Sequence, residues 1–442
     1  MLHSLKHVNK LNESNQLIKL LSINDVFKYI KSFCKNIDNL LNTAKAMGKI
    51  KKIYYLSFTL NLTRQYSEKY ISDKLFRKKV DSSLIVSERK SSINLENCKK
   101  EIDFKVLSNF NILNLSGCNN IKNIRSLHCL KNADKLNLSY CNKLIDVTEL
   151  GQIHTLILKG CINIVNVNCL ANVKDLNLSG CKGIKDVRKL GNVTKLNLSY
   201  CINVTNVDSL GNVYNLSLSG TRVTNVKSLK NVNTLYLNHN NHITDVNALG
   251  NVENLYLNHN PLLTDVSALC KVKKLYLGYC NNIINVSKLT GVKVLDLSYN
   301  QNLINVDALG NCNDLDLSYS INVTNVSSLG NVYKLNLTGC NNITNVNSLG
   351  NVYKLNLTSC TKLTNISTLI NVHSLHLSNT NIKNINSLRN INTLNLTNCK
   401  ISDISVLSGV QNLTLFSCRY CGDLKTLCNV QNLKMINCEC DH

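Results

Sequence analysis

The chain of 442 residues contains no tryptophan and a single proline, Pro261. No apolar run reaches the roughly 18 residues that a membrane-spanning helix needs, so no membrane partner is expected. Met1 to Lys10 holds His3, Lys6, His7 and Lys10 and leads into no apolar segment, which gives no sign of a secretory leader. There is no glycine loop for nucleotide phosphates and no recognisable Ser/His/Asp or Cys/His arrangement, so neither a cofactor nor an enzymatic activity is expected. Acidic residues are scarce, 27 against 50 Lys and Arg, and the net charge is +23. Such a surplus invites nucleic-acid binding, but most of the basic residues are scattered. The bias towards Asn, Lys, Ile and Tyr fits the codon usage of an AT-rich genome, such as that of a protist or a large DNA virus. Nucleic acid is therefore only an alternative partner, through the basic N-terminal region.

What is present is a repeat. From Ile93 to Cys438 one pattern recurs 18 times with a mean period of 20 residues, which marks a solenoid whose units bury their apolar faces only by stacking. Leu335 to Lys354 reads L-x-L-T-x-C-x-x-I-x-N-V-x-x-L-G-N-V-x-x. Positions 1 to 3 alternate apolar, polar, apolar, as in a short strand with one covered face. Positions 6, 9, 12, 15 and 18 (Cys340, Ile343, Val346, Leu349, Val352) fall every third residue, which suits 3₁₀ turns better than a 3.6-residue helix. Three 19-residue units shorten only the corner, at Thr221-Arg222-Val223, Thr380-Asn381-Ile382 and Cys399-Lys400-Ile401, and one 23-residue unit adds a three-residue step around Leu127, Leu130 and Ala133.

This pattern resembles the short class of the leucine-rich-repeat family. The resemblance implies an α/β solenoid over residues 91–442, of about 18 repeats: a horseshoe with a concave parallel β-sheet and a thin convex side of 3₁₀ turns and loops. It also implies that the concave face binds another macromolecule, a protein partner above all.

Twelve of the 20 cysteines occupy position 6, where other units hold Asn240, Asn260, Asn300, Thr221, Thr380 or Ser320. Buried, reduced thiols in a ladder are the expectation, and with no leader the chain is placed in a reducing, intracellular compartment, the cytoplasm. Cys418, Cys421, Cys428, Cys438, Cys440 and His442 suggest zinc, but the repeat already accounts for Cys418, Cys421 and Cys438 and the spacing is not that of a paired zinc motif, so no metal is expected. The Asn or Asp at position 11 is read as a turn residue.

Function is sought where neighbouring units differ at outward positions. Positions 2 and 4 are expected on the concave solvent side, with position 5 at the strand edge. Position 2, often Asn, becomes Tyr236, Tyr256, Tyr276, Asp296 and Asp316 in the middle of the array. Position 5 reads His239, His259, Tyr279, Tyr299 and Tyr319 over the same units, with Asp314 just before the last strand. These residues are the expected partner-binding patch, since tyrosines supply rigid contact area with a polar tip, and the acidic end suits a basic partner segment.

Residues 1–90 are different material, with 18 Lys and Arg against 7 Asp and Glu. Apolar spacing predicts a helical N-terminal domain: a helix through Val26, Ile30 and Phe33, a second begun by Asp38 and ended by Gly48, and a third over Ser67 to Val80. Leu21 to Phe33 with Asn36 to Leu41 resembles the F-box, which docks on the adaptor of cullin-type ubiquitin ligases and is often followed by leucine-rich repeats. Ser22 stands where that family has proline, and its late tryptophan has no counterpart. The resemblance implies that Leu21, Val26, Ile30, Leu40 and Leu41 form the adaptor-binding or core apolar set, and that the solenoid recognises a substrate for ubiquitin ligation. A generic scaffold without ligase contact is the alternative, with the helices as a cap on the first coil.

Overall fold

The computed structural model describes residues 60–87, 91–121, 125–401, 403–420 and 422–440. Leu21, Val26, Ile30, Leu40 and Leu41, with the first two expected helices, lie outside the described residues. The chain divides into two compact units, one of residues 1–120 and 125–138, the other of 121–124 and 139–442.

In the first unit, β1 (Leu60–Leu62), α1 (Arg64–Ser72), α2 (Lys74–Ser87), β2 (Ser91–Asn94), β3 (Ile112–Asn114) and β4 (Lys135–Asn137) follow in order. The strands pair parallel and in register, Leu62 beside Ile93, Ile93 beside Leu113 and Leu113 beside Leu136. The single helix expected over Ser67 to Val80 is instead two. Asp73 breaks it: its backbone is extended (φ −111°, ψ 108°), and its carboxylate accepts from the N–H groups of Leu75 and Phe76 at 2.9 and 3.0 Å, so it caps the second helix. Tyr70 ties the helices to the sheet. Its ring meets Phe110 edge-on at 5.1 Å, and its hydroxyl lies 2.6 Å from Asp81 and 2.9 Å from the Val106 carbonyl. Burial and the Asp81 carboxylate push the Tyr70 phenol pKa up. The added step of the 23-residue unit is a 3₁₀ segment, Arg125–Leu130, extended by the Ala133 N–H donating to the Leu130 carbonyl at 2.9 Å.

The second unit is a leucine-rich-repeat solenoid. Each repeat, or rung, contributes a short strand, from Thr155–Ile157 to Asn432–Ile436, and consecutive strands pair parallel with position 1 in register, as in Leu235, Leu255, Leu275, Leu295 and Leu315. The return leg runs through 3₁₀ turns such as Asn247–Asn251 and Ser327–Asn331. The every-third-residue pattern becomes hydrogen bonds at that spacing: Leu249 N–H donates to the Val246 carbonyl and Val252 N–H to that of Leu249, at 2.9 and 3.0 Å. Ile343, Val346, Leu349 and Val352 are fully buried, one side chain for each such step. Burial of each aliphatic group contributes roughly 1.5–3 kcal/mol, set against the cost of ordering the chain.

Three side-chain ladders satisfy the corners. Position 6 donates to the position 3 carbonyl of the preceding rung: Cys181 to Leu158 at 3.0 Å, Cys340 to Leu317 at 3.1 Å, Asn300 to Leu277 at 2.9 Å and Ser320 to Leu297 at 2.8 Å. Thiol, amide and serine hydroxyl interchange there because each supplies at least one donor of similar reach, whereas Thr221 donates to the Leu218 carbonyl of its own rung. Position 8 asparagines donate likewise, as Asn203 does to the Lys182 carbonyl at 2.7 Å and Asn342 to that of Ile321 at 2.8 Å. Position 11 accepts from the N–H two residues on, as Asp265 does from Ser267 and Asn345 from Asn347, both at 2.9 Å. The cysteines of the described ladder are free thiols, and burial pushes Cys181, Cys201 and Cys340 up to about 12. Protonated at neutral pH, they are poor nucleophiles.

Candidate functional site

The outward side chains of rungs 235 to 315, named by their first leucine, form two rows. At position 2 the rings of Tyr236, Tyr256 and Tyr276 stack with centroids 4.3 and 4.4 Å apart and planes 15° and 4° from parallel. At position 5, His239, His259, Tyr279, Tyr299 and Tyr319 stack at 4.3, 4.2, 4.2 and 4.5 Å. These spacings are close to the strand separation, so in-register pairing sets the stacking. Between the rows lie the position 4 residues Asn238, Asn258, Gly278, Ser298 and Ser318. The structure thus brings ten of the expected patch residues, Tyr236, His239, Tyr256, His259, Tyr276, Tyr279, Asp296, Tyr299, Asp316 and Tyr319, onto five adjoining rungs. All ten are half-buried or exposed. Asp314 stands on the last of these rungs, where Lys334 of the next rung pairs with it at 3.1 Å.

Position 5 is a backbone requirement as well as a surface. His239, His259, Tyr279, Tyr299 and Tyr319 all have φ between 58° and 60°, the left-handed region that costs an ordinary L-residue roughly 1–2 kcal/mol. Elsewhere the column holds mainly glycine or asparagine, as at Gly180, Gly339, Asn379 and Asn398, the residues that adopt it most readily, with Tyr140, Tyr200, Ser359 and Ser417 as exceptions. A tyrosine with no ring after it, whether alone as Tyr200 or at the end of the row as Tyr319, lies over a glycine of the next rung. A Cβ on Gly220 would come within 2.6 Å of the Tyr200 ring, and one on Gly339 within 2.5 Å of Tyr319.

Position 2 also carries a structural duty that its outward aspect hides. Asn177, Asn197, Asn336 and Asn356 each accept from the N–H of position 4 in their own rung, at 2.9–3.1 Å. Asp296 and Asp316 do the same for Ser298 and Ser318 at 2.9 and 2.8 Å. A tyrosine cannot, and in the tyrosine rungs the bond comes from the neighbour: Asn238 accepts from Asn258 N–H at 2.9 Å, and Asn258 from Gly278 N–H at 2.8 Å. Position 4 is less open than expected. Ser179, Ser199, Ser219 and Ser318 are buried, because a serine is shorter than the side chains on either side of it.

Burial raises the pKa of the Asp296 carboxyl, with a smaller push from the charge of Asp316. It also raises the Tyr236 and Tyr256 phenols and lowers His259, to which His239 adds repulsion. A third row escaped the sequence reading: Tyr333, Tyr353 and His373, at position 19, stack at 4.6 and 4.4 Å. The signal was there, in Val-Tyr-Lys-Leu-Asn-Leu at 332–337 and again at 352–357. Among the described residues no group of three or more His, Cys, Asp or Glu is placed to hold a metal ion, and no helix is long and apolar enough to cross a membrane. Cys421 and His442 of the zinc alternative lie outside the described residues.

No family model and no curated protein matches this chain. Among solved structures it is similar to a leucine-rich-repeat protein of Leptospira interrogans, with 21% identity over 79% of this chain and 90% of the other at a TM-score of 0.49. It is also similar to the functional domain of InlJ from Listeria monocytogenes, described as including a cysteine ladder, with 18% identity over 73% and 75% and a TM-score of 0.47. A third likeness is to the internalin InlF of Listeria monocytogenes, with 18% identity over 84% and 96% and a TM-score of 0.43.

Proposed function

We propose that this protein is an interaction scaffold that holds a protein partner on the concave face of its solenoid, with Tyr236, His239, Tyr256, His259, Tyr276, Tyr279, Asp296, Tyr299, Asp314, Asp316 and Tyr319 as the contact patch. One observation carries the reading: five adjoining rungs place rings in a left-handed backbone conformation that other rungs reserve mainly for glycine and asparagine. Local strain retained over a contiguous surface points to a use for that surface. Aromatic rows without a closed cavity suit recognition of a macromolecule better than of a small molecule.

The finer reading is that residues 1–90 form an F-box-like module and residues 91–442 select a substrate for ubiquitin ligation. Its support is the resemblance over Leu21 to Leu41 and the order of the two parts. Affinity capture with the full chain tests both levels. Partners that are re-bound as purified proteins by the wild type and lost on Tyr256→Ala, Tyr276→Ala and Asp316→Asn, the last keeping the acceptor for the Ser318 N–H, with the thermal midpoint nearly unchanged, support the patch; equal retention by all variants removes it. A cullin adaptor retained by the full chain and lost on Leu40→Ala with Leu41→Ala supports the ligase reading, and its absence leaves a generic scaffold.

A further inference from the structure

The two carboxylates of the tyrosine row do more than the fold asks of them. Capping the position 4 N–H needs one side-chain oxygen, which Asn177, Asn197, Asn336 and Asn356 supply without charge. Asp296 and Asp316 instead sit directly opposite each other on neighbouring parallel strands, half-buried. Like charges in that register destabilise a sheet. Asp316 receives the Asn336 amide at 2.9 Å, but among the described residues no Lys or Arg pairs with either carboxylate, while Lys334 is taken by Asp314 and Lys273 by Glu253. Over rungs 235 to 315, positions 2, 4 and 5 contain no Lys or Arg at all, in a chain whose net charge is +23.

The ring next to these carboxylates has a free side. Tyr276 ends its stack: one face lies on Tyr256 at 4.4 Å, and the other is turned towards the rung of Asp296, its register partner. Gly278 keeps the floor beside it low. A Cβ there would stand 2.8 Å from the Ser298 hydroxyl and 3.3 Å from the Asp296 carboxylate. A terminal aromatic face beside a pair of uncompensated carboxylates is complementary to a flat cation that stacks and donates two parallel hydrogen bonds.

Resting on the concave-face reading above, we propose that this end of the tyrosine row binds an arginine side chain of the partner protein, the guanidinium lying against Tyr276 and donating to Asp296 and Asp316. Arginine is favoured over lysine because an ammonium offers neither the plane nor the fork.

The test is selection of a random peptide library, displayed on phage, against the full chain, followed by binding of the selected peptides to variants. Asp296→Asn with Asp316→Asn is the informative double variant, because asparagine is the repeat's own residue at position 2 and retains the cap. The expected result is enrichment of arginine-containing peptides whose affinity falls about tenfold or more on that double substitution, and comparably when the arginine is replaced by lysine. Arginine peptides that bind the double variant as well as the wild type overturn the proposal. Enriched peptides without arginine that are lost on Tyr256→Asn overturn it too, but leave the concave patch standing. Peptides indifferent to every patch variant, or no enrichment, overturn both.

Discussion

Replacing Tyr299 and Tyr200 by asparagine separates what the aromatic rows cost from what they return. Both tyrosines sit at position 5 with φ of 59° and 60°, and asparagine, at home in that column, relieves about 1 kcal/mol of strain at either site. Tyr299 lies between Tyr279 at 4.2 Å and Tyr319 at 4.5 Å, so its removal forfeits two stacked pairs, about 0.5–1.5 kcal/mol each. Tyr200 lies over Gly220 with no stacked ring and loses only that contact. Tyr299→Asn is therefore expected to be neutral to destabilising by about 2 kcal/mol, and Tyr200→Asn neutral to stabilising by about 1 kcal/mol. Long repeat arrays do not unfold in two states, so the assay should be local. Native-state hydrogen exchange at the amides of Leu297 and Leu198, which donate to the Asp316 and Ser217 carbonyls at 2.8 Å, reports the opening free energy of each rung. Shifts of equal sign and size at the two sites would refute the argument that stacking offsets the strain.

Asp296→Asn should raise the stability of its rung at pH 7. The folded pKa of Asp296 is raised, so the unfolded chain binds fewer protons in that window, stability falls as pH rises through it, and the gain from asparagine should vanish below the carboxylate range; hydrogen exchange at two pH values checks this. His259 has the opposite sign. Its folded pKa is lowered by burial and by His239, so stability is lost as pH falls below the ordinary histidine value, and His259→Tyr should flatten thermal midpoints between pH 7.5 and 5.5. Cys340→Ala should destabilise by about 1 kcal/mol by removing one of the two donors on the Leu317 carbonyl, the Ser320 N–H at 3.1 Å remaining, whereas Cys340→Ser, mimicking Ser320, should cost less; denaturant melts of the two rank them. Asn258→Ser should weaken the 275 rung by uncapping Gly278, and Tyr276→Asn in the same chain should restore it through the cap used in asparagine rungs, a coupling of about 1 kcal/mol in a double-mutant cycle.

The solenoid was legible because apolar residues alone encode it. The change from period two at Leu335-x-Leu337 to period three from Cys340 to Val352 maps onto strand and 3₁₀ turn, since a residue that faces inwards must be apolar or a small hydrogen-bonding group. The outward columns were harder to read. Asn336 and Tyr276 occupy the same position, yet the first serves its own backbone and the second cannot, and a sequence shows the side chain without showing which N–H lacks a partner. The left-handed conformation of position 5 was hidden for the same reason: His239 and Tyr279 do not announce a positive φ, although Gly160, Gly180 and Asn379 in the same column do. Tyr333, Tyr353 and His373 stand at position 19, between a buried valine and the strand, outside the columns 2, 4 and 5 in which function is sought. The break at Asp73 was missed because apolar periodicity runs across it, while its carboxylate serves the helix that follows.

Duplication explains why rungs 235 and 255 share Leu-Tyr-Leu-Asn-His-Asn, but copying alone does not explain how positions 2 and 4 change together. Where position 2 is asparagine, position 4 is commonly serine or threonine and the cap stays within the rung. Where position 2 becomes Tyr256 or Tyr276, position 4 of the preceding rung is Asn238 or Asn258, and the cap crosses between rungs. Gly278 has no side chain to pass the bond on, and at the next rung the cap returns to position 2 as Asp296. The backbone bond is preserved at Tyr256 and Tyr276, so these two tyrosines were accommodated with compensation rather than left as damage. Asparagine would have closed that sequence at Asp296 and Asp316 equally well. Two charges in its place, on adjoining strands and beside an open tyrosine face, are the part of this surface that the fold does not require, and a binding partner is the most economical reason for keeping them.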